Sequence, residues 1–530
     1  MNTKSILLVL LTICLPLVGA EAPPTRKQIS EVKAQAENGD AKAQGLLARY
    51  YFKGEGVKKD DVQSLKWARL AASQGEANGQ NYFGVMYALG RGVKQDLDKA
   101  VELFTKAAEQ GNARAQLNMG VLYRDGKGVK QDYTKALEWF AKAANQNDAL
   151  GQNNLGQMYR HGLGVKQDLE KALEWSVKAA NQGNVNAQYR LGRMYRQGLG
   201  VDKDVKKATE WYTKSANGGY VEAQNLVGQM YRHGLGVKQD LGKALEWSVK
   251  AANQGNVKAQ YRLGKMYAEG LGVAKDIKKA TAWYAKSAEG GNTYAMMVLG
   301  SLHFEGEEVQ EDLRQAAKYF QMALGAGVKG AAFPLATIHM APLNAPSLKG
   351  FKPQPEKAAR LFNDVARNEK INPGTRGTAC YRIGTIYLVG YGVRKDVDVG
   401  KKWMKSAAQL LSSAIDQEKD IRGLNFYAQL LALIYGEASL MMKNNPEAYK
   451  LLLIARQSGP LEIVGDHSWS FSPKDKEKGQ AMAAQWMAKR REELKIARLI
   501  LPNNDPKNVT KDGVWDFLIN ISPILEGVIP

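Results

Sequence analysis

A tyrosine returns every 36 residues, at Tyr51, Tyr87, Tyr123, Tyr159, Tyr195, Tyr231 and Tyr267. Each is followed at fixed offsets by one glycine (Gly54 to Gly270), a second glycine (Gly56 to Gly272) with a valine after it, and an acid. The acids are Asp60, Asp96, Asp132, Asp168, Asp204, Asp240, Asp276 and Asp312, and a further column of Trp67, Leu103, Trp139, Trp175, Trp211, Trp247, Trp283 and Tyr319 comes after them. A period of this length marks an array of identical units, none of which can bury its apolar face alone. Stacking neighbours completes the core, so one elongated array replaces the separate domains that 530 residues would ordinarily imply.

Each unit reads as two helices. Ala187, Leu191, Met194 and Tyr195 fall on one face of a first helix. The segment Gly198-Leu199-Gly200-Val201 ends it, because glycine accepts the left-handed conformations of a helix terminus. Asp204 is placed to cap a second helix, which runs past Lys207, Ala208 and Trp211 to Ala216 and stops at Asn217-Gly218-Gly219. A glycine in the middle of the first helix costs roughly 1 kcal/mol in isolation. Its return at 84, 120, 156, 192, 228, 264 and 300 predicts a close approach by a neighbouring helix.

The pattern Ala-x6-Leu-Gly-x-Met-Tyr-x-x-Gly-x-Gly-Val-x-x-Asp-x-x-Lys-Ala-x-x-Trp-x-x-Lys-Ala-Ala resembles the Sel-like repeat (SLR) family, relatives of tetratricopeptide repeats, over about residues 30–410. The resemblance implies an all-α fold, a right-handed α/α superhelical solenoid, with the first helices lining its concave side. It also implies protein–protein interaction or scaffolding in place of catalysis. Some secreted members carry a disulfide in every repeat; this chain, with Cys14 and Cys380 alone, departs from them.

The expected organisation is a signal peptide at 1–20, a short lead-in at 21–30 and regular repeats at 31–330. Degenerate repeats with two insertions and one restored repeat follow at 331–410, then worn helical repeats with a capping helix (Glu477–Leu494) at 411–500, and a linker and tail at 501–530. The first insertion lies around Ala341–Pro355 and the second near Asn368–Gly377, and both are expected to map to loops. His303 and His339 stand in the tyrosine column, and the motif returns at Tyr387, Gly390, Gly392, Asp396 and Trp403. Residues 157–194 and 229–266 differ only at Glu170/Gly242, Asn186/Lys258 and Arg193/Lys265, the trace of a two-repeat duplication offset by 72 residues. Copying of this kind lengthens a surface without designing new chemistry.

The N-terminus carries Lys4, an apolar run from Ile6 to Leu15 and a small-residue exit at Val18-Gly19-Ala20, which predicts export with cleavage after Ala20. The mature chain would then be periplasmic or secreted, monomeric, without a membrane span, and would keep Cys380 as its one thiol, read as inert and buried. Five histidines and two cysteines leave little for a metal centre, and no cofactor is expected. No phosphate loop, dinucleotide fingerprint or nucleophile elbow is present. Ser30 and Lys33 match a serine-acylase spacing but lack its partner motifs, and the recurrent aspartates are read as caps, not as a calcium array.

The chain carries 74 Lys and Arg against 53 Asp and Glu, a net charge of +21. Nucleic acid is not the expected partner, because export removes the chain from DNA and Glu interleaves with Lys on the second helices. The candidate site is a ladder of cations on the first helices: Arg124, Arg160, Arg190, Arg193, Arg196, Arg232, Arg262 and Lys265. Helices in such a stack lie about 8–10 Å apart, so these groups can meet carboxylates or phosphates through bidentate bonds. His161 and His233 occupy equivalent positions and read as solvated. The function expected is an exported scaffold or adaptor that binds the acidic segment of a protein partner. A secreted virulence or host-interaction factor, and more remotely a cell-envelope enzyme acting on cell-wall material, are the alternatives.

Overall fold

The computed structural model describes residues 24–340 and 351–417, together with Tyr427 and Leu430. The expected signal segment with its cleavage at Ala20, most of the first insertion, and the worn repeats, capping helix and tail lie outside the described residues. Every element among the described residues is helical, as expected. The chain divides into two compact units, residues 1–276 and 277–530.

In the first unit α1 (Arg26–Glu37) precedes six two-helix repeats and the first helix of a seventh. The first helices, here called A, are α2 (Ala41–Lys53), α4 (Ala77–Leu89), α6 (Ala113–Asp125), α8 (Ala149–His161), α10 (Val185–Gln197), α12 (Val221–His233) and α14 (Val257–Glu269). The B helices are α3 (Asp61–Ser73), α5 (Leu97–Glu109), α7 (Tyr133–Asn145), α9 (Leu169–Asn181), α11 (Val205–Asn217) and α13 (Leu241–Asn253). In each of the six complete repeats the A helix packs on its own B helix, and from α4 to α14 each A helix also packs on the B helix before it.

The repeat columns have direct physical causes. Asp204 Oδ1 accepts from the Lys207 amide at 2.8 Å, and the other B helices of this unit begin in the same way. The Asp204 amide donates back to the Tyr195 carbonyl at 2.8 Å, a bond repeated from Tyr51–Asp60 to Tyr267–Asp276. This bond closes the loop between the helices and fixes the spacing of the tyrosine and aspartate columns. Gly198 ends α10 in the left-handed region, at φ 72°. Mid-helix Gly192 makes room for an aromatic ring: a Cβ there would lie 2.8 Å from the Tyr212 ring of α11, which is fully buried. Phe104 and Phe140 fill the same place against Gly84 and Gly120, whereas Ser176 and Ser248 stand opposite Gly156 and Gly228. Full burial of such a ring stabilises the fold by about 1.5–3 kcal/mol.

Buried glutamines couple one repeat to the next. Gln116 Nε2 donates to the Ala108 carbonyl at 3.1 Å, and its Oε1 accepts from Gln146 at 2.7 Å. Equivalent side-chain bonds join Gln74–Gln44, Gln110–Gln80, Gln182–Gln152 and Gln254–Gln224. The ladder breaks at residue 218, where glycine replaces glutamine and the buried Gln188 Oε1 has no hydrogen bond.

The second unit comprises α15 (Ile277–Glu289), α16 (Thr293–Glu305), α17 (Leu313–Gly325), a 3-10 turn at Lys329–Ala331, α18 (Ala332–His339), α19 (Pro355–Arg367), α20 (Pro373–Val389) and α21 (Val397–Gln417). His303 does take the tyrosine position, since its carbonyl accepts from Asp312 at 2.9 Å, and Tyr387 restores the column by accepting from Asp396 at 3.0 Å. The second insertion is not all loop. Asn372 caps α20, and residues 373–377 are built into its first turns, so this A helix runs to 17 residues in place of 13. Cys380 is buried there, and burial pushes its thiol up to about 11, which keeps it protonated at neutral pH.

Candidate functional site

The cations of the A helices fall into two sets. Arg124 donates from Nε to Asp125 at 2.7 Å and from Nη1 to Asn154 at 2.9 Å. Arg190 Nη1 donates to Asn153 of the preceding repeat at 2.9 Å, and Arg262 is bonded to Asn225 in the same manner. Lys265 pairs with Glu269 at 3.3 Å, and Arg232 lies 4.0 Å from the other oxygen of that carboxylate. Those five residues are occupied by the chain's own contacts. The guanidiniums of Arg160, Arg193 and Arg196 form no ion pair or hydrogen bond among the described residues.

Arg160 and Arg193 stand in a field of like charge. Arg190 is drawn down to about 10, chiefly by burial, with Arg160, Arg124 and Arg193 adding to the effect and Tyr220 opposing it. Burial and then Arg193 lower Arg160, and burial followed by Arg160, Arg190 and Arg193 lowers His161. Four guanidiniums and an imidazole from α6, α8 and α10 thus act on one another at a cost in stability. Such perturbed clusters are where binding sites concentrate. His161 and His233 are both exposed, as expected of solvated residues.

Against the far side of α10 lies a pocket of about 570 Å³, within the roughly 300–1,000 Å³ of ordinary ligand sites. Arg193 and Arg196 line it from α10, Tyr212 from α11, Glu222 from α12 and Lys258 from α14. The Tyr212 hydroxyl is fully buried and has no hydrogen bond; burial pushes the phenol up to about 12. Tyr189 joins the wall, with ring centroids 5.4 Å from Tyr212 and 5.0 Å from Tyr220.

Tyr220 is itself a departure. It occupies the N-cap position of an A helix, where Asp40, Glu76, Asn112, Asp148, Asn184 and Asn256 accept a backbone hydrogen bond, and it makes no side-chain cap. A missing cap costs about 1 kcal/mol. The ring is spent on the aromatic wall instead, and Gly218, which breaks the glutamine ladder, lies two residues before it. Local rules that fail together mark functional positions more often than accidents.

The Sel1 repeat pattern matches at residues 41–76, 77–112, 113–148, 149–184, 185–220, 221–256, 257–292, 293–328 and 377–410, more than half of the chain. The chain belongs to the Sel1 repeat family. It is similar to c5321, a protective antigen of uropathogenic Escherichia coli displaying an SLR fold, with 31% identity, 91% of this chain and 99% of that one covered, and a TM-score of 0.59. A Sel1 repeat protein of Oxalobacter formigenes shares 38% identity over 57% of this chain and 87% of its own, with a TM-score of 0.44. No curated protein matches. Sel1 repeats build helical scaffolds that generally serve protein–protein interaction and are typically non-catalytic.

The aspartates at B-helix starts are caps. No group of histidine, cysteine or acidic side chains able to hold a metal, and no helix long and apolar enough to cross a membrane, occurs among the described residues. Ser30 Oγ donates to the Arg26 carbonyl at 3.0 Å while Lys33 pairs with Glu37 at 3.8 Å, so the two do not form a nucleophile and base. Reasoning from sequence missed Tyr212, Tyr220 and Glu222. The cap column held a usable signal, since Tyr220 is the aromatic among acids and amides.

Proposed function

We propose that this Sel1 repeat protein is an exported scaffold that receives an acidic segment of a protein partner on the A-helix face of residues 149–256. The observation that carries this reading is the set Arg160, Arg193 and Arg196, whose guanidiniums are left without internal partners, whereas Arg124, Arg190, Arg232, Arg262 and Lys265 have them. Unpaired arginines on a crowded basic surface lose repulsion when a carboxylate arrives, and their planar forks suit bidentate contact. The apolar run before Ala20 supports export.

The similarity to a protective antigen of uropathogenic strains favours a second reading, in which the exported chain meets a host target. An affinity pull-down with the mature chain, from envelope extract and from host-derived fluid, separates the two. Repeating it at about 0.5 M salt, where the Debye length shrinks to a few ångströms, tests the charge. A defined protein captured at low salt, released at high salt and lost with Arg193→Glu and Arg196→Glu supports the basic face. Capture that is indifferent to both changes contradicts it.

A further inference from the structure

The pocket over Tyr212 contains charges of both signs that do not meet. Arg193, Arg196 and Lys258 supply three cations and Glu222 one anion, and none of the four forms an ion pair. Elsewhere in this unit neighbouring opposite charges close up, as Lys178 does on Glu174 at 2.6 Å and Lys265 on Glu269 at 3.3 Å. Tyr220 senses both signs: burial raises its phenol, Glu222 raises it further, and Arg190 and Arg193 lower it. The two signs therefore face the same aromatic wall across open space.

We infer that this pocket recognises a dipolar peptide segment: one acidic side chain seated on Arg193 and Arg196, and a basic side chain one or two residues away turned to Glu222. The inference rests on the A-helix face being the partner-binding surface, and it narrows that reading from charge to pattern. A doubly charged phosphate fits less well, because Glu222 repels it. The set of groups is specific to this place in the array. At the positions 72 residues on, Arg196, Gln197 and Glu222 are replaced by Ala268, Glu269 and Tyr294.

The test uses the full mature chain and fluorescein-labelled hexapeptides read by anisotropy. One probe carries a Glu and a Lys separated by one residue, in both orders; a second replaces the Lys by Gln; inorganic phosphate serves as competitor. The dipolar probe in one of its orders binds at least about fivefold more tightly than the acid-only probe. Glu222→Gln removes that preference while leaving acid-only binding in place, and Arg193→Gln with Arg196→Gln abolishes both. Equal binding of the two probes with no effect of Glu222→Gln overturns the dipolar inference and leaves the basic face standing. Binding that ignores the arginine changes overturns the basic face itself. No binding of either probe at millimolar concentration, or displacement by phosphate in preference to peptide, overturns the inference.

Discussion

Residues 157–194 and 229–266 are nearly the same sequence, and they have become electrostatically different places. Both copies keep the clamp between repeats, Arg190 on Asn153 in the first and Arg262 on Asn225 in the second. They part at the end of the A helix. Arg193 near the end of the first copy, and Arg196 just beyond it, are unpaired beside the neutral Gln197. In the second, Lys265 is held by Glu269 with Arg232 nearby, and Ala268 stands where Arg196 would. The cap column parts as well, because Tyr220 corresponds to Asn292, which caps its helix through the Ala295 amide at 3.0 Å. Duplication reproduced the scaffold, and a handful of substitutions decided which copy keeps open charge. Scaffold and site are therefore separable in this molecule.

The largest expected effect lies within the core of one copy. Gly192→Ala drives a methyl into the Tyr212 ring and destabilises the first unit by about 1–3 kcal/mol, as overpacked cores do. Gly156→Ala faces Ser176 Oγ at 3.2 Å, so its clash is small and the gain in helix propensity, about 1 kcal/mol, offsets it. Chemical denaturation of the two variants checks the contrast, and equal losses would break the distinction between aromatic and serine repeats.

Next in size, Tyr220→Asn copies the cap of the second copy into the first. It should raise stability by about 1 kcal/mol and weaken partner binding, since the aromatic wall loses a member. Thermal melting and the pull-down read the two effects separately; a variant that gains stability and keeps full binding removes Tyr220 from the site.

The smallest effect is a titration. His161 is held below the ordinary histidine value by burial and then by Arg160, Arg190 and Arg193. Removing positive charge favours the imidazolium, so Arg160→Gln with Arg193→Gln should raise the His161 pKa toward 6.5, followed by NMR of the ring protons. An unmoved titration would show that the cluster is not the shared field described.

Most of the scaffold was legible in the sequence because its causes are local and periodic. The tyrosine and aspartate columns are joined by one backbone bond, the glycine caps need their φ, and the mid-helix glycines mark the close approach of a neighbouring helix. The site was less legible because its state depends on contacts between repeats. Whether an arginine is free turns on residues some 30–37 positions away, as with Asn154 for Arg124 and Glu269 for Arg232. Spacing along one helix placed all eight cations on the A helices and could not say which were already bonded. Tyr212 stands one residue beyond the Trp211 column, and nothing in its spacing announces a buried hydroxyl without a partner.

The most direct measurement compares two variants of equal charge change, Arg193→Gln with Arg196→Gln and Arg232→Gln with Lys265→Gln, for equilibrium affinity toward the captured partner. If open charge in the first copy is the binding surface, the first variant loses at least about tenfold in affinity, or 1.4 kcal/mol. The second, whose charges are already engaged with Glu269, stays within about twofold of the parent. Equal losses in the two would mean that net charge and not this site draws the partner, and no loss in either would place the binding surface elsewhere on the chain.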